Sequence, residues 1–472
     1  MNTSKSFIRS LAIAALVATS LGLTSTGCDL DIGDLNNPGI DDLETNPTRV
    51  TIAAACTGLV IGNRRNIAEA NGYIVQLGIL GREAYNFDVA DPRYTAELLE
   101  GTLNPGSPFG GGFWLQPYAN IRLAHIIRRS LEKLDPTEMT DVEKAAVRGF
   151  TKTIEAMDLL EVINTHDTNG AILETDRTLE EGLGPIADKP AVFAEIVRLL
   201  DEAVTDLDAG GDTFPFPLSN GYVGFDTPPS FRELNRAIRA RVAAYMKDYP
   251  AALTALSMSF INEMPMTLGD LDVGVYHSHS TNPGDKVNEL INPNIWVHPS
   301  IPMTAEANDA RLARKVAMVP MGMGGTGRGL SSNFVFTIYE SPNDPAPVIR
   351  NEELLLLLAE ARWFSAPSDM AGAMMALNAV RTLSGGLPAL ATPGTDEEFV
   401  TALLYERRYS LLFEGGHRWI DARRFDRVMD LPLDDPEHVR NVRFPINLDE
   451  CNARTPLDGN PPPQCQLGST DP

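Results

Sequence analysis

The sequence predicts an all-α fold, with helices stacked in antiparallel pairs (an αα superhelix) beside an irregular, loop-rich lobe. Apolar residues recur at helical spacing in ten segments of the 472-residue chain. Strict alternation of apolar and polar residues is scarce, which argues against a β-sandwich or barrel. A Gly- and Pro-rich segment at about 265–345 interrupts the helical series. The predicted helical segments are 48–70, 114–134, 140–165, 187–209, 230–247, 250–263, 350–365, 369–383, 396–415 and 418–429.

The N-terminus is predicted to direct export. Two basic residues among the first nine precede an apolar stretch, 11–23, which is followed by Ser25-Thr26-Gly27-Cys28. This order is typical of a secretory signal peptide, here 1–27. Its apolar core is shorter than the roughly 20 residues that span a bilayer as a helix, so export followed by cleavage fits better than a permanent anchor.

Cys28 is the predicted point of membrane attachment. The small residues before it resemble a bacterial lipobox, in which the cysteine thiol is lipidated and the cysteine becomes the mature N-terminus. Residues 28–48 then form a polar tether with Asn-Pro pairs at 37–38 and 46–47. The alternative is simple secretion, with Cys28 left as a free thiol.

Several helices show their ends in the sequence. The segment 187–209 has apolar residues at helical spacing, Pro190 near its start and Gly210-Gly211 just past its end. The segments 230–247 and 250–263 are joined at once through Tyr249-Pro250. Such pairs are typical of stacked helical hairpins and resemble a tetratricopeptide-like array.

The net charge and the cysteines limit the functions that the chain can have. With 39 Lys+Arg against 63 Asp+Glu, the net charge of −24 would repel nucleic acid, so we expect no DNA or RNA partner. Cys451 and Cys465 flank a short loop and are candidate disulfide partners in an oxidising compartment. Cys56, in an Ala-rich helical stretch, is predicted to be a buried free thiol.

No motif supplies catalytic chemistry. The chain has no Gly-x-Ser-x-Gly elbow, no phosphate-cradling Gly loop and no Cys-x-x-Cys pair. The Gly-rich run 321–327 lacks the preceding strand of a dinucleotide site and is predicted to be a flexible loop. Carboxylates and arginines between 406 and 424 could serve acid–base catalysis, but a buried stripe through Tyr405 and Tyr409 favours an ion-pair network between packed helices. We predict no catalytic residue and no cofactor.

Two short histidine motifs do not reach the ligand number of a metal site. His277 and His279 lie two residues apart, and His166 precedes Asp167. Without a third placed ligand, these histidines are predicted to lie in surface loops. Asp270 and Asp272 could contribute to calcium binding, but no EF-hand pattern surrounds them, and we predict no metal site.

The loop-rich segment is the predicted recognition surface, because loops of this length in a compact domain are usually functional or disordered. Sugar rings stack their apolar faces on aromatic side chains, and nearby amides and carboxylates bind the hydroxyl groups. On this basis the candidate substrate-binding residues are Tyr73, Tyr276, Trp296 and Tyr339.

The C-terminal third carries a family resemblance. Residues 406–424, ERRYSLLFEGGHRWIDARR, resemble the signature of the SusD/RagB family of nutrient-uptake lipoproteins. Further matches occur in the family's order. They are the acidic, Leu-rich helix 351–362, the helix 376–381 and a closing segment that starts at Phe444-Pro445-Ile446.

The resemblance implies an all-α domain over 49–472, with tetratricopeptide-like helix pairs on one side and a more irregular lobe on the other. It also implies a lid on a TonB-dependent (SusC-like) transporter of the outer membrane, facing the cell surface, that captures oligosaccharides or, in some members, peptides. We therefore expect a lipid-anchored outer-membrane protein that binds an extracellular nutrient, first of all an oligosaccharide.

Two other functions stay open at this point. A helical-repeat scaffold that binds only protein would present a concave helical face without an aromatic pocket. A surface glycosidase would need two carboxylates about 5–10 Å apart in one cleft.

Overall fold

Helices dominate the part of the chain that the structure, a computed structural model, describes: residues 40–177, 180–456 and 459–470. The predicted signal peptide, Cys28 and the tether up to residue 39 lie outside these residues. The last part of the predicted tether, 40–48, includes a helix, and the side chain of Leu43 is buried. The folded unit therefore begins at Ile40, nine residues before the predicted boundary.

Seventeen α-helices occur in the described residues. In chain order they are α1 (Ile40–Thr45), α2 (Arg49–Asn63), α3 (Tyr73–Leu80), α4 (Arg93–Ala96), α5 (Leu115–Lys133), α6 (Asp141–His166), α7 (Lys189–Asp208), α8 (Pro228–Tyr245), α9 (Tyr249–Ser257), α10 (Leu268–Asp272), α11 (Ser300–Thr304), α12 (Ala310–Lys315), α13 (Asn351–Phe364), α14 (Met370–Leu383), α15 (Asp396–Ser410), α16 (His417–Arg424) and α17 (Leu448–Arg454). The prediction that helix dominates is confirmed. None of these helices is both long and apolar enough to cross a bilayer.

Local sequence signals explain where the longest helices start. Thr140 caps α6 with a capping box, because its side chain accepts from the Glu143 backbone N–H while the Glu143 carboxylate accepts from the Thr140 backbone N–H. Asp188 caps α7, and Pro190 occupies the first turn, where its missing N–H costs no hydrogen bond. Both starts were readable from the sequence because each depends on a few neighbouring residues.

The helices pack largely in chain order. Helix α5 packs on α2 and α6, α6 on α7, α7 on α8, and α8 on α9. Helix α13 then packs against α8, α9, α14 and α15. Its residues 351–361 are all buried. The run 354–359 is apolar around the helix, and the glutamates at 352, 353 and 360 each pair with an arginine.

Ten short strands form five two-stranded antiparallel ribbons in the described residues: β1 (Ala84–Asn86) with β5 (Ile295–Val297), β2 (Ala171–Ile172) with β3 (Ile186–Ala187), β4 (Gly274–His277) with β10 (Ala346–Arg350), β6 (Val316–Met318) with β9 (Phe334–Phe336), and β7 (Gly325–Gly327) with β8 (Leu330–Ser332). Most of them lie in the loop-rich segment, which is the least helical part, as predicted. The predicted flexible loop at 321–327 is wrong in part, since 325–327 form a strand.

Candidate functional site

The β4–β10 ribbon presents one aromatic ring outwards. Val275 and His277 of β4 point into the core, so Tyr276 between them faces the other way and is half-buried. Its partner in the register is Pro347, and the ribbon is irregular between Pro347 and Ile349. The ring of Tyr276 therefore lies beside the part of the ribbon where the backbone pairing of β4 and β10 is irregular.

Tyr276 borders the cavity that we call the tyrosine cleft, with a volume of about 620 Å³. Its walls come from α10, β4, the end of α12, the segment 337–352 and the turns after α14 and α15. The lining residues are Leu268, Leu271, Asp272, Tyr276, Arg314, Lys315, Thr337, Ile338, Tyr339, Asp344, Pro345, Pro347, Arg350, Glu352, Ser384 and Glu414. The cleft thus combines apolar and aromatic surface with charged groups of both signs.

Arg350 organises the buried side of the cleft. Its Nε and Nη2 donate to the two carboxylate oxygens of Glu414 at 3.0 and 2.9 Å, and Nη2 also donates to the Ser410 carbonyl at 2.6 Å. Its Nη1 pairs with Glu352. Lys315 adds a second cation, with Nζ 2.9 Å from Glu414. These fixed partners hold the floor of the cleft rigid.

The two buried carboxyl groups of the cleft are ionised. Burial pushes the pKa of Glu352 up, but the charges of Arg350 and Lys315 outweigh burial and bring that pKa down to about 2. The same balance lowers the pKa of Glu414 below its ordinary value. Neither group holds a proton at neutral pH that it could donate to a leaving group.

Two charged side chains at the rim are exposed to solvent and can reach a ligand. The Asp272 side chain is exposed and lies 3.5 Å from Arg350 Nη1. Arg314 is exposed and donates only to the backbone and hydroxyl oxygens of Ser384, at 2.7 and 3.2 Å. A planar guanidinium and a carboxylate of this kind are suited to hydrogen bonding with hydroxyl groups.

Tyr339, a second predicted residue, lies in the same cleft. Its ring is 5% exposed, and its hydroxyl donates to the Phe413 carbonyl at 3.3 Å. Burial raises the pKa of Tyr339 well above its ordinary value. Tyr339 therefore forms part of the floor, whereas Tyr276 offers the accessible ring.

The other two predicted aromatics lie elsewhere. Tyr73, at the start of α3, is buried edge-on against Phe113 at 5.6 Å and borders a separate cavity of about 90 Å³. Trp296 pairs with Tyr85 in the β1–β5 ribbon and is partly buried. A Cβ atom on Gly325 would lie only 2.3 Å from Trp296 Cε2, so the Gly-rich strand β7 covers part of the indole.

The prediction of surface histidines is wrong. His166 is fully buried, with Nδ1 3.0 Å from the Val162 carbonyl. His277 and His279 are also buried, and His277 is one of the two inward-facing residues of β4. No group of three or more metal-ligating side chains occurs in the described part of the chain.

Most charged residues of 406–424 join the predicted ion-pair network, but not Arg408 and Arg418. Arg408 donates to the hydroxyls of Ser300 and Thr304, and Arg418 donates to the Arg82 carbonyl. Glu406 accepts from Arg311 and Arg381 at 2.5 and 2.7 Å. Asp421 accepts from Arg407 and Arg424 at 2.5 and 2.8 Å, which ties α15 to α16. These side chains are buried, so each charge loses contact with water. The paired charge of opposite sign offsets this desolvation.

Sequence reasoning missed the charged half of the cleft. Arg350 and Glu352 stand directly before the Leu-rich run of α13. An arginine and a glutamate two residues apart, at the start of a buried helix, were the available sign of a buried ion pair. Glu414 was assigned only to the ion-pair network. Glu414 and Arg350 are 64 residues apart in the chain, and they meet because their elements pack together. No local sequence pattern encodes this contact.

The three cysteines of the described residues adopt the states that the sequence predicts. Cys451 and Cys465 form a disulfide with a Cα separation of 5.8 Å, and Cys56 is a buried free thiol. The bridge ties α17 to the C-terminal segment.

Comparisons with known proteins point to one family. Residues 337–453 match the SusD family, and the cleft residues from Thr337 to Glu414 fall in this range. No curated protein sequence matches the chain.

Solved structures extend the likeness to most of the chain. A SusD superfamily protein from Bacteroides vulgatus superposes with a TM-score of 0.66 at 15% identity, covering 89% of this chain and 98% of that one. A laminarin-binding SusD-like protein gives 0.60 at 17% identity, covering 86% and 97%. Surface glycan-binding protein A from Bacteroides uniformis gives 0.60 at 16% identity, covering 80% and 88%. At these identities the superpositions show a shared fold.

Proposed function

Because this chain is a SusD-family protein, we propose that it binds an extracellular oligosaccharide in the tyrosine cleft and delivers it to a TonB-dependent outer-membrane transporter. In this proposal residues 1–27 are a signal peptide, Cys28 is lipidated, and the folded unit stands on the outer membrane and faces the medium. The consecutive packing of α5 to α9 supports tetratricopeptide-like helix pairs as the framework.

The composition of the cleft is the observation that carries this proposal. The half-exposed ring of Tyr276 offers a face for a sugar ring, with Asp272 and Arg314 at the rim to bind hydroxyl groups. A cavity of about 620 Å³ is within the range of small-ligand sites. Tyr276 is the principal contact in this scheme, Tyr339 supports it from below, and Tyr73 and Trp296 are the weaker candidates.

Binding without bond cleavage is part of the proposal. A glycosidase needs one protonated carboxyl group and one ionised carboxylate across the scissile bond. Arg350 holds both buried carboxylates of the cleft, Glu352 and Glu414, in the ionised form, so neither can be the acid of such a pair. Partial burial raises the pKa of Asp272 at the rim, so a glycosidase would have to use Asp272 as its acid. The protein scaffold alternative predicts no aromatic pocket, and the tyrosine cleft argues against it.

Glycan binding by matched variants tests the proposal. We expect the wild-type protein to bind at least one neutral glycan on an array that includes laminarin, starch and hemicellulose oligosaccharides. Tyr276→Ala should weaken that binding at least tenfold in isothermal titration, a loss of about 1.4 kcal/mol. Tyr249→Ala is the control, since Tyr249 is also partly buried but stacks on Phe364 outside the cleft.

Two results would contradict this assignment. One is a wild-type protein that binds no glycan on the array. The other is Tyr276→Ala binding as tightly as the wild type while its far-UV spectrum and melting temperature are unchanged.

A further inference from the structure

A second cleft lies beside the outward face of helix α5. Leu115, Tyr118, Ala119 and Arg122 fall on one stripe of this helix, at the i, i+3, i+4 and i+7 positions. We call the cavity that this stripe borders the α5 cleft, and its volume is about 650 Å³. Its other walls are the segments 172–177 and 182–184 and the residues Glu450 and Arg454 of α17.

The floor of the α5 cleft is apolar and fixed. The hydroxyl of Tyr118 donates to the Ile172 carbonyl at 3.2 Å and accepts from the Ile172 N–H at 2.5 Å, which locks the partly buried ring. Leu115 and Leu183 line the cleft with 62% and 56% of their surface exposed. Two exposed leucines beside an aromatic ring form the kind of concave apolar surface that ligands cover.

The walls are braced by contacts that distant segments make. Arg454 Nη1 donates to the Gly184 carbonyl at 2.6 Å, and Trp114 Nε1 lies 3.4 Å from Glu450 Oε2. The Cys451–Cys465 disulfide ties α17 to the C-terminal segment. A cleft with braced walls loses little conformational freedom when it binds a ligand.

The charges at this cleft leave one cation without a partner. Arg177 pairs with Glu174 at 2.9 Å, and Arg454 pairs with Glu450 at 2.6 Å. Arg122 makes neither a hydrogen bond nor an ion pair, whereas every other arginine in the described ranges makes at least one, for example Arg65 with the Gln116 side chain. The lining of the α5 cleft thus holds three arginines against two glutamates, an excess of one positive charge in a chain of net charge −24.

We propose that the α5 cleft binds a carboxylate-bearing saccharide, with the carboxylate on Arg122 and the apolar face of the sugar ring on Tyr118. The two side chains are one turn apart on α5, about 6 Å between Cβ atoms, which matches the span of one uronic acid ring and its carboxylate. A guanidinium binds a carboxylate through two parallel N–H···O bonds, so it distinguishes the acid from its ester. This site is separate from the tyrosine cleft and does not depend on it.

Isothermal titration with three acidic oligosaccharides tests the α5 cleft. The probes are trigalacturonate, trimannuronate and a hyaluronan tetrasaccharide, each compared with its methyl ester. We expect at least one acid to bind more tightly than its ester, with an affinity that falls as the salt concentration rises. Arg122→Gln should lower the affinity for that acid at least tenfold and remove the preference over the ester, and Arg122→Lys should retain part of it.

Arg198→Gln is the matched control, because Arg198 is an exposed arginine on a different helix, α7, and its loss should leave the titration unchanged. Binding of none of the three acids would overturn the proposal, as would an unchanged preference for the acid in Arg122→Gln. Equal affinity for a triglutamate peptide would show that the cleft recognises charge alone, and would overturn the saccharide assignment.

Discussion

Asp158 shows at the scale of one residue how this core tolerates a buried acid. Its two carboxyl oxygens each accept a hydrogen bond at 2.7 Å, from Asn63 Nδ2 and Asn120 Nδ2. Burial is the largest influence and raises the pKa of Asp158 to about 8, although both amide bonds favour the ionised form. The folded chain therefore holds a proton on Asp158 at pH values where the unfolded chain has released it.

The direction of the resulting pH dependence follows from proton binding. Between the ordinary pKa of 3.8 and about 8, the folded state binds more protons at Asp158 than the unfolded state, so its contribution to stability falls as the pH rises. We expect Asp158→Asn to remove this dependence, so that the variant gains stability relative to the wild type from about pH 4 to about pH 8. Urea unfolding at several pH values measures the difference.

Asp212→Asn is the control for that series, since Asp212 is exposed and its substitution should leave the pH dependence of the wild type in place. A constant difference between Asp158→Asn and the wild type across this range would show that Asp158 ionises in the folded protein as it does in the unfolded chain.

The turn between α15 and α16 packs closely against α3. Gly416 has φ +68°, a left-handed conformation that favours glycine, and a Cβ atom there would lie 2.4 Å from the Leu77 Cβ of α3. On the other side of the contact, a Cβ on Gly78 would lie 2.8 Å from the Phe413 ring. The turn and α3 thus approach each other through two glycines, and this approach positions α16 for its ion pairs.

Replacing Gly416 tests this close approach. Gly416→Ala should lower the free energy of unfolding by roughly 2–4 kcal/mol, because it adds overpacking against Leu77 to the strain of a left-handed alanine. Gly224→Ala should cost only about 1 kcal/mol, since Gly224 has φ +85° and no atom within 4 Å of an added Cβ. Chemical denaturation compares the two, and equal losses would show that α3 and the turn separate easily.

At the scale of the whole molecule, the number of residues between the proposed anchor, Cys28, and the folded unit bears on the proposed partner. Eleven residues, 29–39, separate Cys28 from the start of the folded unit at Ile40. Such a segment spans at most about 40 Å when extended. In the proposed function, a lipid at Cys28 would limit the folded unit to this distance from the membrane, within reach of a transporter in the same membrane.

Co-purification from native membranes tests the partnership. We expect a tagged full-length chain, solubilised from membranes of the native organism in detergent, to carry with it a large β-barrel transporter in near-equal amount, identified by mass spectrometry. A tagged Cys28→Ala chain should leave the membrane fraction and recover no barrel from it. Firm membrane attachment of the wild type without any barrel protein would contradict delivery to a transporter.

The predictable part of this structure is the part set by neighbouring residues. The capping residues and apolar spacing of 140–165 and 187–209 place α6 and α7 to within two residues, because a helix is held by contacts three and four positions apart. The buried stripe of 396–415 likewise led to the correct ion-pair assignment. The helix predicted there ends early, at Ser410, because Phe413 adopts a left-handed conformation in the packed turn.

The candidate sites depend on contacts that spacing does not encode. Tyr276 and Tyr339 share a cleft because β4 pairs with β10, while Tyr73 is buried because α3 packs into the core. Arg122 stood out only once the partners of every other described arginine were known. Loop-rich segments are positioned by the elements they cross rather than by their own periodicity, so tertiary packing alone decided which aromatic rings and charges meet.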